Sequence, residues 1–218
     1  MDLFEEGIPR AKEASEIYER LGDTVEQAEC LVELAWLLHC DEQLDAAEEA
    51  ASRATDLLPE EGAQFKVCRC HQTLGNIYRS KGEIKATHHL EVALEIASPF
   101  NWLNMLSCVH LSLADLFIDE GKFDDAHNHV EHAKLHAVND NDTHLLARAM
   151  WKQVEVWQGQ DRFEEAKSEA LRALDVFEKL GAANDVEDVR EVLRQIEHDA
   201  CKLDNDGELL NIAICRVY

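Results

Sequence analysis

The sequence predicts an all-α solenoid of antiparallel helix pairs. Three observations lead there. First, the segment Leu44-Asp45-Ala46-Ala47 is echoed by Ile84-Lys85-Ala86, by Phe123-Asp124-Asp125-Ala126 and by Phe163-Glu164-Glu165-Ala166, so that the closing alanines step by 39, 40 and 40 residues. Second, every unit carries two apolar stripes at helical spacing. Third, short breakers separate the stripes and longer ones separate the units.

The elements follow in order. Residues 2–21 read as the second helix of an incomplete unit, because stepping back from Ala47 by one period reaches Gly7, with Ala11 and Ala14 on the stripe. The segment Ala14–Gly22 is matched by Ala173–Gly181, which fixes the phase independently. Complete units are expected over about 25–59, 63–99, 103–138 and 143–180. Their first-helix stripes read Leu31, Leu34, Ala35, Leu38, then Leu74, Gly75, Tyr78, then Leu113, Ala114, Phe117, then Met150, Val154, Trp157. Their second-helix stripes read Ala47, Ala51, Ala54, then Ala86, Leu90, Ala93, then Ala126, Val130, Ala133, then Ala166, Ala170, Ala173. Gly82-Glu83, Gly121-Lys122 and Gln160-Asp161 fit the tight turn inside a pair. Pro59–Gly62, Ser98-Pro99, Asn139–Asp142 and Gly181–Asn184 stop one unit and start the next.

Small residues recur because helix axes approach to about 8–10 Å according to the side chains at the crossing, and glycine or alanine permits the near end of that range. One pair cannot bury its own apolar face, so each unit stacks on the next. Val186, Val189, Val192, Leu193 and Ile196 form one amphipathic helix, a cap expected over 184–203 that completes a repeat domain of residues 1–203. The tail 204–218 has no clear period. An array that starts half-way through a unit leaves an apolar face to cover, which leads to the expectation of a longer multidomain chain.

These residues resemble the tetratricopeptide repeat. Leu74-Gly75-Asn76-Ile77-Tyr78 with Gly82, Ala86 and Ala93, and Leu113-Ala114-Asp115-Leu116-Phe117 with Gly121, Phe123, Ala126 and Ala133, look like its signature. The resemblance implies a right-handed superhelix. The period near 40 exceeds that family's usual 34, and is similar to repeats in sensor regions of signalling NTPases, kinesin light chains and spindle-orientation adaptors. His71 and His110 stand where the family has aromatic residues, and Gln153-Val154 replaces its Leu-Gly pair.

Composition narrows function. The 218 residues include 21 Lys and Arg against 45 Asp and Glu, a net charge of −24, with an isoelectric point near 4.7. Such a chain has no cations to spare for displacing counterions from nucleic acid. Apolar runs such as Leu34–Leu38 are far shorter than the roughly 20 residues of a membrane span, and the opening Met1–Glu6 has no signal-peptide character. Seven cysteines, an odd set, suit a reduced cytoplasmic protein. No phosphate loop, nucleophile elbow or His-Glu-x-x-His is present, so no catalysis and no cofactor are expected.

The expected function is a protein-interaction scaffold. In the family, first-helix residues beside the buried stripe line the inner groove, and the resemblance carries this role to Trp36, His39, Arg69, Gln72, Asn76, Arg79, Leu111, Asp115, Asp119, Arg148, Trp151 and Glu155. Aromatic and arginine side chains are the usual anchors of peptide interfaces, so another protein or a peptide segment is the expected partner. Packing is an equal role for Trp36 and Trp151. Asn76, Arg69 and Arg79 resemble part of the carboxylate clamp of chaperone adaptors, but Trp36 and Asp115 stand at the flanking positions, so that clamp is not expected.

Two other readings stay open. One is a sensor region that regulates an attached NTPase. The other is a metal module on His127, His129, His132 and His136, although the same histidines flank the stripe of a solvated helix, and no metal is the expectation. Cys68-x-Cys70-His71 sits inside a helical pattern without a second cysteine pair, so buried thiols are expected there, and Cys30, Cys40 and Cys108 read as small apolar first-helix residues.

Overall fold

The structure is a computed structural model. It describes residues 3–59 and 62–196, and of residues 3–5 the backbone alone. Everything described is helix and turn: α1 Leu3–Leu21, α2 Thr24–Cys40, α3 Leu44–Leu57, α4 Gln64–Ser80, α5 Lys85–Ala97, a 3-10 turn Ser98–Phe100, α6 Leu103–Asp119, α7 Phe123–Asp140, α8 Thr143–Gly159 and α9 Phe163–Leu180. A last helix, α10, covers 183–196. No strand occurs among the described residues. The tail at 204–218 and the final residues of the expected cap lie outside them.

The second-helix stripes are fully buried in each unit. Ala47, Ala51 and Ala54, then Ala86, Leu90 and Ala93, then Ala126, Val130 and Ala133, then Ala166, Ala170 and Ala173 are without exception 0% exposed. Gly7, Ala11 and Ala14 of α1 are only half-buried.

Each joint uses one left-handed residue. Positive φ angles occur at Gly22, Glu42, Gly62, Gly82, Asn101, Gly121, Asn141, Asp161 and Gly181, a beat of 20 residues with a single step of 19. The residue after most of them donates its N–H to a carbonyl five positions back, as in Gln43 to Leu38, Lys122 to Phe117, Arg162 to Trp157 and Ala182 to Phe177. That bond closes the helix end and releases the chain into the next helix. Asp23 and Asp142 also cap α2 and α8, their carboxylates accepting from the backbone N–H of Glu26 and Leu145. The short step contains Pro99 and the 3-10 turn.

Contacts divide the chain into two units, Met1–Leu116 and Phe117–Tyr218, with the boundary inside α6. In a stack each hairpin touches only its neighbours, so contacts thin with separation along the chain. In the first unit, α1 packs on α2, α2 on α3, α4 on α5, and α4 also lies against α2 and α3. In the second, α8 packs on both α7 and α9. There Val189 and Ile196 of α10, each 1% exposed, join a cluster with Met150, Val154, Ala173 and Phe177.

Candidate functional site: the first-helix faces

In the first unit, α2 carries Glu26, Glu29, Glu33 and Trp36, and α4 carries Lys66, Arg69, Gln72, Asn76 and Arg79. The Lys66 ammonium donates to Glu26 at 2.8 Å, and the Arg69 guanidinium donates to Glu29 and, at 3.4 Å, to Glu33. Gln72 Nε2 donates to Ser112 Oγ at 3.4 Å, and His39 Nε2 lies 2.8 Å from Ser80 Oγ. Apart from Arg69 to Glu33, which spans 36 residues, these bonds join positions 40 or 41 residues apart, so equivalent places on successive first helices are bridged directly.

Three residues expected to meet a partner, His39, Arg69 and Gln72, therefore also tie first helices together. Burial, and after it the Arg79 charge, pushes the His39 imidazole below its ordinary pKa, which keeps it neutral near pH 7. Trp36 stays 44% exposed, while Asn76, Arg79 and Asp115 are half-buried. Leu111 is 5% exposed. Its side chain is packing and presents little surface, because the inward face of α6 is broader there than the stripe Leu113, Ala114, Phe117 suggests.

In the second unit, Asp119 and Arg148 are exposed and Trp151 is half-buried. Trp151 packs against the cluster that contains Ala147, Met150 and Val154, and Glu155 accepts from Lys152 at 2.6 Å. A cavity of about 480 Å³ lies among residues of α7, α8 and α9, including Lys134, Met150, Trp157, Glu169 and Arg172. Glu169 is 3% exposed and its two oxygens accept from Lys134 at 2.9 Å and Arg172 at 2.5 Å. Sequence reasoning missed this carboxylate. The available signal was an acid directly before Ala170, inside an alanine stripe.

Two histidines of α7, His127 and His129, have different neighbours. His127 Nδ1 lies 2.8 Å from Gln153 Oε1 on α8, whereas the His129 ring stacks on Phe117 with centroids 5.2 Å apart. Cys68 and Cys70 are both 0% exposed, and the Cys68 thiol donates to the Ala93 carbonyl at 3.2 Å. Burial raises its pKa to about 12. Cys30 and Cys108 are half-buried and Cys40 is exposed. Beside the cysteines, His71 of α4 and His89 of α5 face each other with their Nδ1 atoms 3.0 Å apart.

No helix among the described residues is long and apolar enough to cross a membrane. No family model matches the chain, and no curated protein matches it. Solved structures do. RapI in its apo form superposes with a TM-score of 0.73 at 14% identity, over 95% of this chain and 79% of that one. The fold is that of a TPR-like helical repeat protein. BtubC (BKLC) from P. vanneervenii gives 0.67 at 16% identity, over 92% and 93% of the two chains. A Rap protein complexed with competence and sporulation factor gives 0.69 at 13% identity, over 94% of this chain and 62% of that one. Aspartyl phosphate phosphatase F from Bacillus subtilis gives 0.66 at 18%, and this chain spans 51% of its length.

Proposed function

We propose that this chain is a non-catalytic, cytoplasmic interaction module that holds a segment of another polypeptide on its first-helix faces, with no role for nucleic acid or membrane. The observation that carries the reading is Trp36, a large aromatic side chain left 44% exposed on a helix whose acidic residues are already tied to α4. Half-buried Asn76 and Arg79 stand on that neighbouring helix. Together they offer an aromatic anchor, an amide able to pair with peptide backbone, and a guanidinium. One similar structure, the Rap protein with competence and sporulation factor, carries a bound factor on the same kind of fold.

The preformed helices leave little to reorganise on binding, which favours affinity. The net charge of −24 favours a basic or neutral partner, captured faster at low salt. The test is co-purification from cell extract with wild type beside Trp36→Ala and Arg79→Glu. A discrete partner retained by wild type and lost from both variants is the expected result. Equal retention by all three overturns the assignment of the site.

A further inference from the structure

We propose that His71 and His89 form a two-histidine chelate for a divalent transition metal of the copper or nickel class, stapling α4 to α5. The two Nδ1 atoms are 3.0 Å apart, the ring centroids 5.1 Å apart, and the ring planes 33° from parallel. Both rings are half-buried. The residues are 18 apart in the chain and on different helices, so the hairpin fold, not a local turn, places them together.

Burial, then the charge of His88, lowers the pKa of His71. Burial, then His71, His88 and Lys85, lowers that of His89 to about 4. Neutral imidazoles are the form in which this pair exists at pH 7, with one ring donating Nδ1–H to the lone pair of the other. Neutral imidazole is also the metal-binding form. A metal takes both Nδ1 lone pairs when the donor ring changes tautomer, its proton passing from Nδ1 to Nε2 through solvent. No net proton is released, and water fills the remaining coordination positions.

Donor chemistry points to the class of metal. Two neutral imidazole nitrogens suit borderline divalent ions, whose affinity for nitrogen sites peaks at Cu²⁺ with Ni²⁺ just below it. At about 2.0–2.1 Å from metal to imidazole nitrogen, one ion reaches both Nδ1 atoms once the rings tilt off the 3.0 Å line that now joins them. The surroundings hold the His89 ring in place. Tyr78 stacks on His89 at 5.2 Å between centroids, and its hydroxyl donates to Glu48 at 2.9 Å. The Lys85 ammonium lies over the Tyr78 ring at 4.8 Å and is the positive side chain that opposes a cation at the pair.

The experiment is calorimetric titration of the untagged chain with CuSO4, NiCl2 and ZnCl2 in a non-coordinating buffer, with electron paramagnetic resonance of the Cu²⁺ form. Wild type is compared with His71→Ala, His89→Ala and His89→Gln, the last keeping a hydrogen-bonding side chain so that the hairpin stays closed. Wild type should bind an equivalent of Cu²⁺ that each variant loses or binds at least about tenfold more weakly, with nitrogen hyperfine structure from two imidazoles. Ni²⁺ should bind more tightly than Zn²⁺, as membership of the copper and nickel class requires, and Cu²⁺ more tightly than both. Lys85→Gln should tighten binding several-fold. Unchanged stoichiometry and affinity in the folded His89→Gln variant, or tighter Zn²⁺ than Ni²⁺, overturns the proposal.

Discussion

The Leu90 side chain occupies the space that a Cβ on Gly75 would need: an atom built there falls 2.6 Å from Leu90 Cγ and Cδ2 and 3.4 Å from the Ala86 carbonyl oxygen. Helices α4 and α5 meet backbone against side chain at this crossing. Gly75→Ala gains about 1 kcal/mol of helix propensity, but overpacking costs about 1–3 kcal/mol. Because Leu90 is 0% exposed and has no open side to move toward, a net loss of about 1–2 kcal/mol is expected. Chemical denaturation of Gly75→Ala, Leu90→Ala and the double variant checks it. The double variant should lose less than the sum of the single ones.

The joints give a second expectation. Glu42 and Asp161 take φ angles of 59° and 58°, where a side chain costs roughly 1–2 kcal/mol and glycine costs little. Glu42→Gly and Asp161→Gly should each stabilise by about 0.5–1 kcal/mol. Gly121→Ala should destabilise by about 1 kcal/mol. Shifts in the thermal midpoint with these opposite signs are the readout.

Glu169 is the buried anion of the second unit. Breaking a buried pair from one side costs about 3–5 kcal/mol. Lys134 and Arg172 retain 18% and 69% side-chain exposure, so water recovers part of that, and Glu169→Ala should cost about 2–3 kcal/mol. A loss below 1 kcal/mol would show that the two cations resolvate freely.

Alkaline stability tests the α4 core. The Cys68 thiol titrates at about 12 in the folded chain against 9.0 when unhindered, so the unfolded chain gives up this proton first. The stabilising contribution is whole below pH 9 and fades between pH 9 and 12, by at most about 1.4 kcal/mol per pH unit. Cys68→Ala should flatten that part of the pH–stability curve. In the native chain a thiol reagent should reach exposed Cys40 well before Cys68.

The architecture was legible because backbone distance dictates small residues at each crossing, and Ala47, Ala86, Ala126 and Ala166 mark those crossings directly. Gly82, Gly121, Gln160-Asp161 and Gly181 were readable as joints from their turn chemistry. Glu42 was not, since the hairpin imposes its backbone shape on a residue that does not prefer it. Within the candidate site, Trp36 and Asn76 were named from the family resemblance, which spacing alone does not supply. The bond of Arg69 to Glu29 required asking what lies one full period away, a question that helical spacing alone does not raise. The meeting of His71 with His89 depends on the crossing of two helices, and Leu111 depends on how wide a face its helix buries, neither of which has a spacing signature.

The contacts from Glu26 to Lys66, Glu29 to Arg69 and Gln72 to Ser112 restrict how this chain can change length. One extra residue within α4 would rotate everything beyond it by about 100° and point each bridging side chain away from its counterpart. Removing or duplicating a whole forty-residue block would return every such pair to an equivalent setting. The chain is thus free to grow or shrink in whole hairpins, and intolerant of anything between.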